Sequence, residues 1–178
     1  MKFFTAIFCL VFLYNSSYCQ EIIIRGENTT RLLVWDDFSG NPDKNSSYEA
    51  NTYWRLNYSF KNFTQAGDTV KLLGVTVKLE LDGKQSWKKK GAETASLLRH
   101  EQGHFDIGII CQQEMIQQFN STVFFKNDFV NKLNAIFKTT MEKYHAMGVK
   151  YDEETDHSKN QENQKKWDAF FKEKLKRQ

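Results

Sequence analysis

The spacing of apolar residues predicts strands in the first half of the chain. Residues 50–60 alternate between polar and apolar side chains, and the apolar ones share one parity: Trp54, Leu56, Tyr58 and Phe60. Residues 69–81 repeat the alternation, with one face made of Val75, Val77, Leu79 and Leu81. A period of two is that of a half-buried strand. We therefore predict an antiparallel hairpin across the polar residues 62–68, and two shorter strands at the apolar runs 22–24 and 32–34.

A period of 3.6 residues in the second half predicts three helices. The first spans about residues 93–119, and its buried stripe consists of Leu97, His100, His104, Ile107, Cys111 and Met115. The second spans about residues 127–147 and ends at Gly148, because glycine commonly terminates helices. A loop, residues 149–158, precedes a third helix at about residues 159–175. Strands followed by helices predict an α+β fold, with a small antiparallel sheet packed against three helices.

The N-terminal segment has the parts of a secretory signal peptide: Lys2, an apolar run over residues 3–14, and a small-x-small site that ends at Cys19. We expect a signal peptide at residues 1–19 and export to the periplasm or the cell exterior. The apolar run is shorter than a membrane-spanning helix needs, so no stable membrane anchor is expected after cleavage. Lipidation of Cys19 is the alternative, and the bulky Tyr18 before it disfavours this.

Composition fits a single domain over residues 20–178. The net charge of +3 is small and the charges of both signs are interspersed, so we expect no binding to nucleic acid. Cleavage at Cys19 would leave only Cys111, and no intrachain disulfide is expected. Nothing in the sequence indicates the oligomeric state.

The most informative motif is His100-Glu101-Gln102-Gly103-His104, a His-Glu-x-x-His sequence inside the first predicted helix. Residues at i and i+4 lie on the same helix face, so the two imidazoles can share one Zn²⁺ ion. The glutamate can then act as a general base on a water bound to the metal. The motif therefore predicts a zincin-like helix, with His100 and His104 as metal ligands and Glu101 as catalytic residue.

Catalytic zinc usually takes a third protein ligand, and the residues leave its identity open. The two other histidines are His145 and His157, and an antiparallel second helix would bring Glu142 or His145 toward the motif. Asp106 lies two residues after His104 and points to another side of the helix, where it could orient a partner of the ligands or cap an exposed face. A tyrosine near the zinc could also stabilise a developing oxyanion.

Three blocks of the chain resemble a known family. They are the segment that begins Trp35-Asp36-Asp37-Phe38, the motif extended by Phe105-Asp106, and Tyr151-Asp152-Glu153-Glu154-Thr155-Asp156-His157. Together they resemble the secreted bacterial proteins classed as a domain of unknown function and regarded as zinc-dependent proteases. The resemblance implies that His157 completes the zinc site. The family often has glycine after that histidine, where this chain has Ser158.

The sequence thus predicts a secreted zinc metallopeptidase that acts on a peptide or protein substrate. Zn²⁺ would be held by His100, His104 and His157, with Glu101 as base and Tyr151 as a possible oxyanion donor. An edge of the residue 69–81 strand could pair with an extended peptide. The alternative is a noncatalytic exported protein. It would be either a zinc-binding protein with a closed metal shell, in which Asp106 or Glu142 is the fourth ligand, or an interaction protein with a vestigial His-Glu-x-x-His site. An amidase acting on cell-wall peptides would share the same chemistry.

Overall fold

The computed structural model describes residues 18–177 and shows an α+β fold. Most of the expected signal peptide therefore lies outside the described residues. Tyr18 and Cys19 form the first two residues of strand β1 (Tyr18–Ile24). Within residues 18–177, no helix combines the length and the apolar character needed to cross a membrane.

The strands of the described part of the chain form three small sheets. The remaining strands, in chain order, are β2 (Glu27–Asn28), β3 (Ala50–Asn51), β4 (Trp54–Ser59), β5 (Asn62–Ala66), β6 (Thr69–Leu73), β7 (Val75–Leu81), β8 (Trp87–Lys88) and β9 (Phe124–Phe125). The largest sheet has the order β2-β1-β7-β4, a second pairs β3 with β8, and a third has the order β5-β6-β9.

The pairing predicted between the two alternating strands is confirmed. β4 lies antiparallel to β7, with Trp54 opposite Leu81 and Ser59 opposite Thr76. The prediction of a purely antiparallel sheet is wrong, because β1 runs parallel to β7 on its other side. β7 is thus an internal strand with no edge to offer a peptide, and the edge predicted there does not exist.

Local backbone features explain two further differences from the predicted strands. Gly74 has φ +61, a left-handed conformation that glycine tolerates, and it divides residues 69–81 into β6 and β7. Residues 32–34 form no strand: Leu33 is buried, but its N–H donates to Gln102 Oε1 (2.7 Å) instead of to a neighbouring strand. A short 3₁₀ helix follows at Trp35–Asp37.

Residues 18–177 contain three α-helices, as predicted, but the second is longer than expected. They are α1 (Ala95–Ser121), α2 (Phe129–Thr155) and α3 (Gln161–Leu175). Thr94 caps α1 by accepting the N–H of Leu97 (3.1 Å), and Asn160 caps α3 in the same way with Asn163 (3.1 Å). The predicted end of α2 at Gly148 and the predicted loop 149–158 are wrong, since α2 continues to Thr155.

The core lies between the largest sheet and α1. The face of β7 that carries Val75, Val77, Leu79 and Leu81 is almost completely buried, as the alternation predicts. At Gly108 of α1, an added Cβ would lie 3.0 Å from Trp54 and 3.1 Å from Leu79, so glycine lets the helix approach the sheet closely. The buried Gln112 donates to the carbonyl oxygens of Glu21 and Val77, both at 2.7 Å, and ties α1 to β1 and β7.

Candidate metal centre

The first turns of α1 carry the motif residues into the interior. His100 is buried with 2% of its side chain exposed, and His104 retains 18%. Their rings lie 4.9 Å apart at 90°, on the same side of the helix. The spacing of four residues therefore brings the two imidazoles together, as the sequence predicts.

Helix α2 runs antiparallel to α1 and carries its C-terminal turns across these histidines. Gly148 lies at the crossing, where an added Cβ would be 4.0 Å from His104 Nδ1. That distance is an ordinary van der Waals contact, so an alanine would also fit, and Gly148 lies inside α2 instead of ending it. Tyr151, Asp152 and Thr155 consequently project from a helix rather than from a loop.

The carboxylate of Asp152 is the point at which three imidazoles meet. Its Oδ1 atom lies 2.9 Å from His104 Nε2, 3.1 Å from His100 Nε2 and 3.3 Å from His157 Nδ1. The ligand atoms of His100, Asp152 and His157 lie within 4.8 Å of one another and could hold a metal ion. His104 contacts the same oxygen but is not part of that group. The structure thus places all three histidines predicted as ligands around Asp152, and the group that could hold a metal consists of two of them and Asp152.

His157 reaches this cluster through an unusual backbone. Asp156, His157 and Ser158 follow α2 with φ values of 45, 49 and 77, all in the left-handed region. Each such residue other than glycine costs about 1–2 kcal/mol, and such strain tends to occur at functional sites. The turn points the His157 ring back toward Asp152, and the ring of Tyr48 packs on its other side at 4.4 Å.

Gln164 of α3 determines which nitrogen of His100 is free. The amide nitrogen of Gln164 donates to Asp168 Oδ1 and to the Tyr151 hydroxyl, both at 2.8 Å. Because a carboxylate accepts hydrogen bonds, this contact orients the amide, and Gln164 Oε1 faces His100 Nδ1 at 3.2 Å. Nδ1 therefore carries the proton, and the lone pair of a neutral His100 lies on Nε2, the atom that faces Asp152.

This arrangement fits a metal ion. A neutral Nε2 lone pair directed at a carboxylate oxygen is repulsive unless a proton or a metal cation lies between them. Imidazole nitrogens and a carboxylate oxygen are donor types that zinc accepts. A hydrogen-bond acceptor behind a ligating histidine, such as Gln164 behind His100, is the usual support of such a ligand. The residues present therefore suit the zinc predicted from the sequence.

Electrostatics reinforce the contacts within the cluster. Burial raises the pKa of Asp152, but in the metal-free chain its contacts with the His100 and His104 imidazoles outweigh it and hold that pKa well below its ordinary value. Burial lowers the pKa of His104, but the hydrogen bond to Asp152 and the charge of Glu101 outweigh it and raise that pKa. The cluster thus favours an ionised Asp152 with positive charge beside it.

Glu101 lies beside the cluster in a cleft of about 740 Å³. Its carboxylate accepts a hydrogen bond at Oε2 from Thr52 Oγ1 (2.6 Å), and Thr52 also contacts the Glu101 carbonyl (3.1 Å). The histidines, Asp152 and residues 50–54 line the same cleft. Thr52 therefore fixes the orientation of a buried carboxylate that lines the cleft.

Tyr151 does not face the cleft. Its side chain is completely buried, its ring stacks on His100 at 4.6 Å, and its hydroxyl donates to the His100 carbonyl (3.1 Å). At Gly103 an added Cβ would overlap the Tyr151 ring, so this glycine makes room for it. Burial raises the pKa of this hydroxyl well above its ordinary value. Tyr151 is placed to support His100, and the predicted oxyanion role has no support in this geometry.

The other sequence candidates lie away from the cluster. Asp106 is buried and binds Gln102 Nε2 (2.7 Å) and the Arg177 guanidinium, so its described partners do not include the histidines. Glu142 is exposed and pairs with Lys138 on the surface of α2. His145 lines the cleft, where its ring stacks on Trp54 at 5.9 Å, but it lies about two helical turns before Asp152.

Sequence reasoning missed Asp152, Gln164 and Thr52 as members of the site. A signal for Asp152 was available, because residues 148, 151, 152 and 155 share a face if α2 continues through the glycine. Gln164 and Thr52 come from α3 and from the segment between β3 and β4, and no local pattern links them to the motif.

Comparison with known proteins gives one informative result. Neither the curated proteins nor the solved structures yield a match to this chain. One family model matches residues 23–158, a stretch that includes the motif, Asp152 and His157. The chain thus belongs to the family described as "Bacterial protein of unknown function (DUF922)".

Proposed function

We propose that this protein is an exported zinc-dependent peptidase with His100, His104 and His157 as zinc ligands and Glu101 as general base. The observation that carries the proposal is the convergence of three imidazole nitrogens around one point beside a buried glutamate in an open cleft. The zincin-like role of α1 rests on the same observation. Export rests on the signal-like N-terminal sequence.

Each residue of the site has a defined task in this mechanism. Zinc bound there would supply Lewis acidity to a water and to the substrate carbonyl. His100 is held in its ligating tautomer by Gln164, and Tyr151 holds the His100 ring from behind. Glu101, oriented by Thr52, accepts the proton of the attacking water and passes it to the leaving amine.

A peptide substrate is supported by the sheet next to the cleft. β4 is the outermost strand of the described four-stranded sheet, and Tyr53 and Trp54 at its start line the cleft. An edge strand offers unpaired backbone groups to an extended chain. β4 thus replaces the edge of β7 as the place for strand addition.

The direct test compares Glu101→Gln with the wild-type protein on a mixed peptide library, with cleavage read by mass spectrometry. We expect the variant to keep zinc and to lose at least 100-fold in cleavage rate, since general-base catalysis contributes about 10²–10⁴-fold. Glu142→Gln, which changes an exposed glutamate outside the cleft, is the matched control and should keep full activity. Unchanged cleavage by zinc-loaded Glu101→Gln would contradict the mechanism.

One observation favours the noncatalytic alternative. Asp152 stands beside all three imidazoles, where a fourth protein ligand would close the metal shell. Asp106 and Glu142, the fourth ligands expected from the sequence in that case, lie elsewhere. A wild-type protein that binds zinc tightly and cleaves no peptide in the library would support this second function.

A further inference from the structure

Asp152 is placed as a metal ligand would be. It is not placed as a residue that supports a ligating histidine from the side away from the metal. A residue behind the ligands would contact the far nitrogen of an imidazole, as Gln164 contacts His100 Nδ1. Asp152 instead faces His100 Nε2, the nitrogen left free for the metal, and one Asp152 oxygen contacts all three rings. It therefore stands on the metal side of the histidines.

The distances agree with this placement. In a tetrahedral site with bonds of about 2.0–2.1 Å, neighbouring ligand atoms lie about 3.3–3.4 Å apart. The separations from Asp152 Oδ1 to His100 Nε2 and His157 Nδ1, 3.1 and 3.3 Å, approach that value, and the ligand atoms of these three residues lie within 4.8 Å of one another. His104 Nε2 lies 2.9 Å from the same oxygen but outside that group, so His104 would have to move toward an ion that the other three residues hold.

We infer that Asp152 is a fourth protein ligand, which closes the resting metal shell and occupies the position that a reactive water needs. This inference rests on the metal site of the proposed function. Catalysis then requires Asp152 Oδ1 to withdraw or the shell to expand to five ligands, as catalytic zinc sites can do. Asp152 then controls whether a water can reach the metal.

Cobalt(II) spectroscopy tests this without any peptide substrate, because the visible absorption of cobalt reports its coordination. Wild-type protein, Asp152→Ala and Asp152→Asn are loaded with cobalt and titrated with azide, a small anion that binds open metal positions. Asp156→Asn, a change of the same type four residues away, is the matched control, because the described contacts of the cluster do not include the Asp156 carboxylate. Circular dichroism checks that each variant is folded.

We expect the wild-type and Asp156→Asn spectra to resist azide, and the Asp152→Ala spectrum to shift with saturation. Asp152→Ala should also bind cobalt at least 10-fold more weakly. If Asp152→Ala does not fold, Asp152→Asn is measured in its place. We expect this variant to bind cobalt more weakly than the wild type and to show a different cobalt spectrum.

Two results would overturn the inference. Azide binding by the wild type with the same affinity as by Asp152→Ala would show an open position, and would leave the proposed peptidase site intact. A wild-type protein that takes up no cobalt or zinc would remove both the inference and the metal site on which it rests.

Discussion

Two aspartates of this chain, Asp37 and Asp152, have their negative charge balanced by different kinds of partner. Asp37 is completely buried and accepts two hydrogen bonds from the guanidinium of Arg31, at 2.6 and 2.7 Å, and one from the Val34 N–H at 2.9 Å. Asp152 is 29% exposed and faces three imidazoles. Both carboxylates have several polar partners, but only Asp37 has a partner that always carries a positive charge.

The pKa values express the same contrast. Burial raises the pKa of Asp37, but the Arg31 guanidinium outweighs it and holds that pKa below its ordinary value. The lowered pKa of Asp152 depends on imidazoles, which can be neutral. A carboxylate whose partners are imidazoles is a place where protons and metal ions compete. The comparison separates a structural ion pair from the candidate metal centre.

Metal removal should have the largest effect on stability. Zinc at 1,000 times its Kd adds about 4 kcal/mol to the free energy of unfolding, which corresponds to about 10 °C in Tm for a domain of this size. Thermal melts with and without a chelator measure this shift. The Tm of the Arg31→Met variant should fall by a similar amount when the chelator is added, because Arg31 lies outside the cluster. A Tm that the chelator leaves unchanged would contradict the metal site.

Breaking the Asp37 pair should have the next largest effect. Arg31→Met leaves the Asp37 carboxylate buried without a counter-charge, and we expect a loss of about 2–3 kcal/mol, reduced from the full value for a buried pair because Arg31 is partly exposed. Arg55→Met breaks the exposed pair with Asp82 and should cost under about 1 kcal/mol. Denaturant titration measures both variants, and equal losses would contradict the structural role of Asp37.

The two sites should also respond to acid in different ranges. The folded pKa of Asp37 lies below its unfolded value of about 3.9, so its contribution is present above that pH and is lost as pH falls through the folded pKa. The metal should be lost at higher pH, because protons bind imidazoles with an ordinary pKa of about 6.5 and that of His104 is raised in the metal-free chain. Zinc release and unfolding followed over one acid titration should form two separate transitions.

Gln164→Met should weaken zinc binding without removing a zinc ligand. The variant deletes the oxygen that accepts from His100 Nδ1, and loss of such a support typically costs 10–100-fold in metal affinity, about 1.4–2.7 kcal/mol. Gln161→Met on the same helix removes contacts with Arg99 and Ser96 instead and should leave the affinity unchanged. Competition with a chromogenic chelator gives both affinities. Identical values would show that Gln164 does not determine the tautomer of His100.

The smallest predicted effect concerns the turn that carries His157. Ser158 has φ 77, where glycine avoids the steric cost of a side chain, so Ser158→Gly should stabilise the protein by about 0.5–1 kcal/mol. Ser158→Ala keeps the Cβ and should give no gain. Denaturant titration of the metal-free protein distinguishes them. A destabilised glycine variant would mean that the left-handed turn is not strained.

The periodicity of apolar residues along the chain predicted which side chains share a face of a strand or a helix. The faces of β4 and β7 and the pairing of His100 with His104 on α1 follow from periods of two and 3.6 residues. The parallel neighbour of β7 does not, since nothing in residues 18–24 encodes the direction of a strand partner found at residues 75–80. Pairing between distant strands depends on the whole fold.

The error at Gly148 determined how much of the site could be predicted. Glycine as a terminator is a local rule, and it fails here because α2 continues through Gly148 to Thr155. Because residues 149–158 were predicted to be a loop, the sequence did not indicate where the side chains of Tyr151 and Asp152 point. Tyr151 could therefore be expected to face the cleft. Once α2 continues, Tyr151 lies behind His100 and Asp152 lies in front of it. The position of His157 came from family resemblance rather than from spacing.

X-ray absorption at the zinc edge, on the zinc-loaded protein, tests the central claim most directly. The account predicts one zinc per chain, with a nitrogen and oxygen shell at about 2.0–2.1 Å and the outer scattering of three imidazoles. Chelator treatment should remove the signal. Substoichiometric zinc, a sulfur shell at about 2.3 Å, or scattering from fewer than three imidazoles would contradict a centre built from His100, His104 and His157.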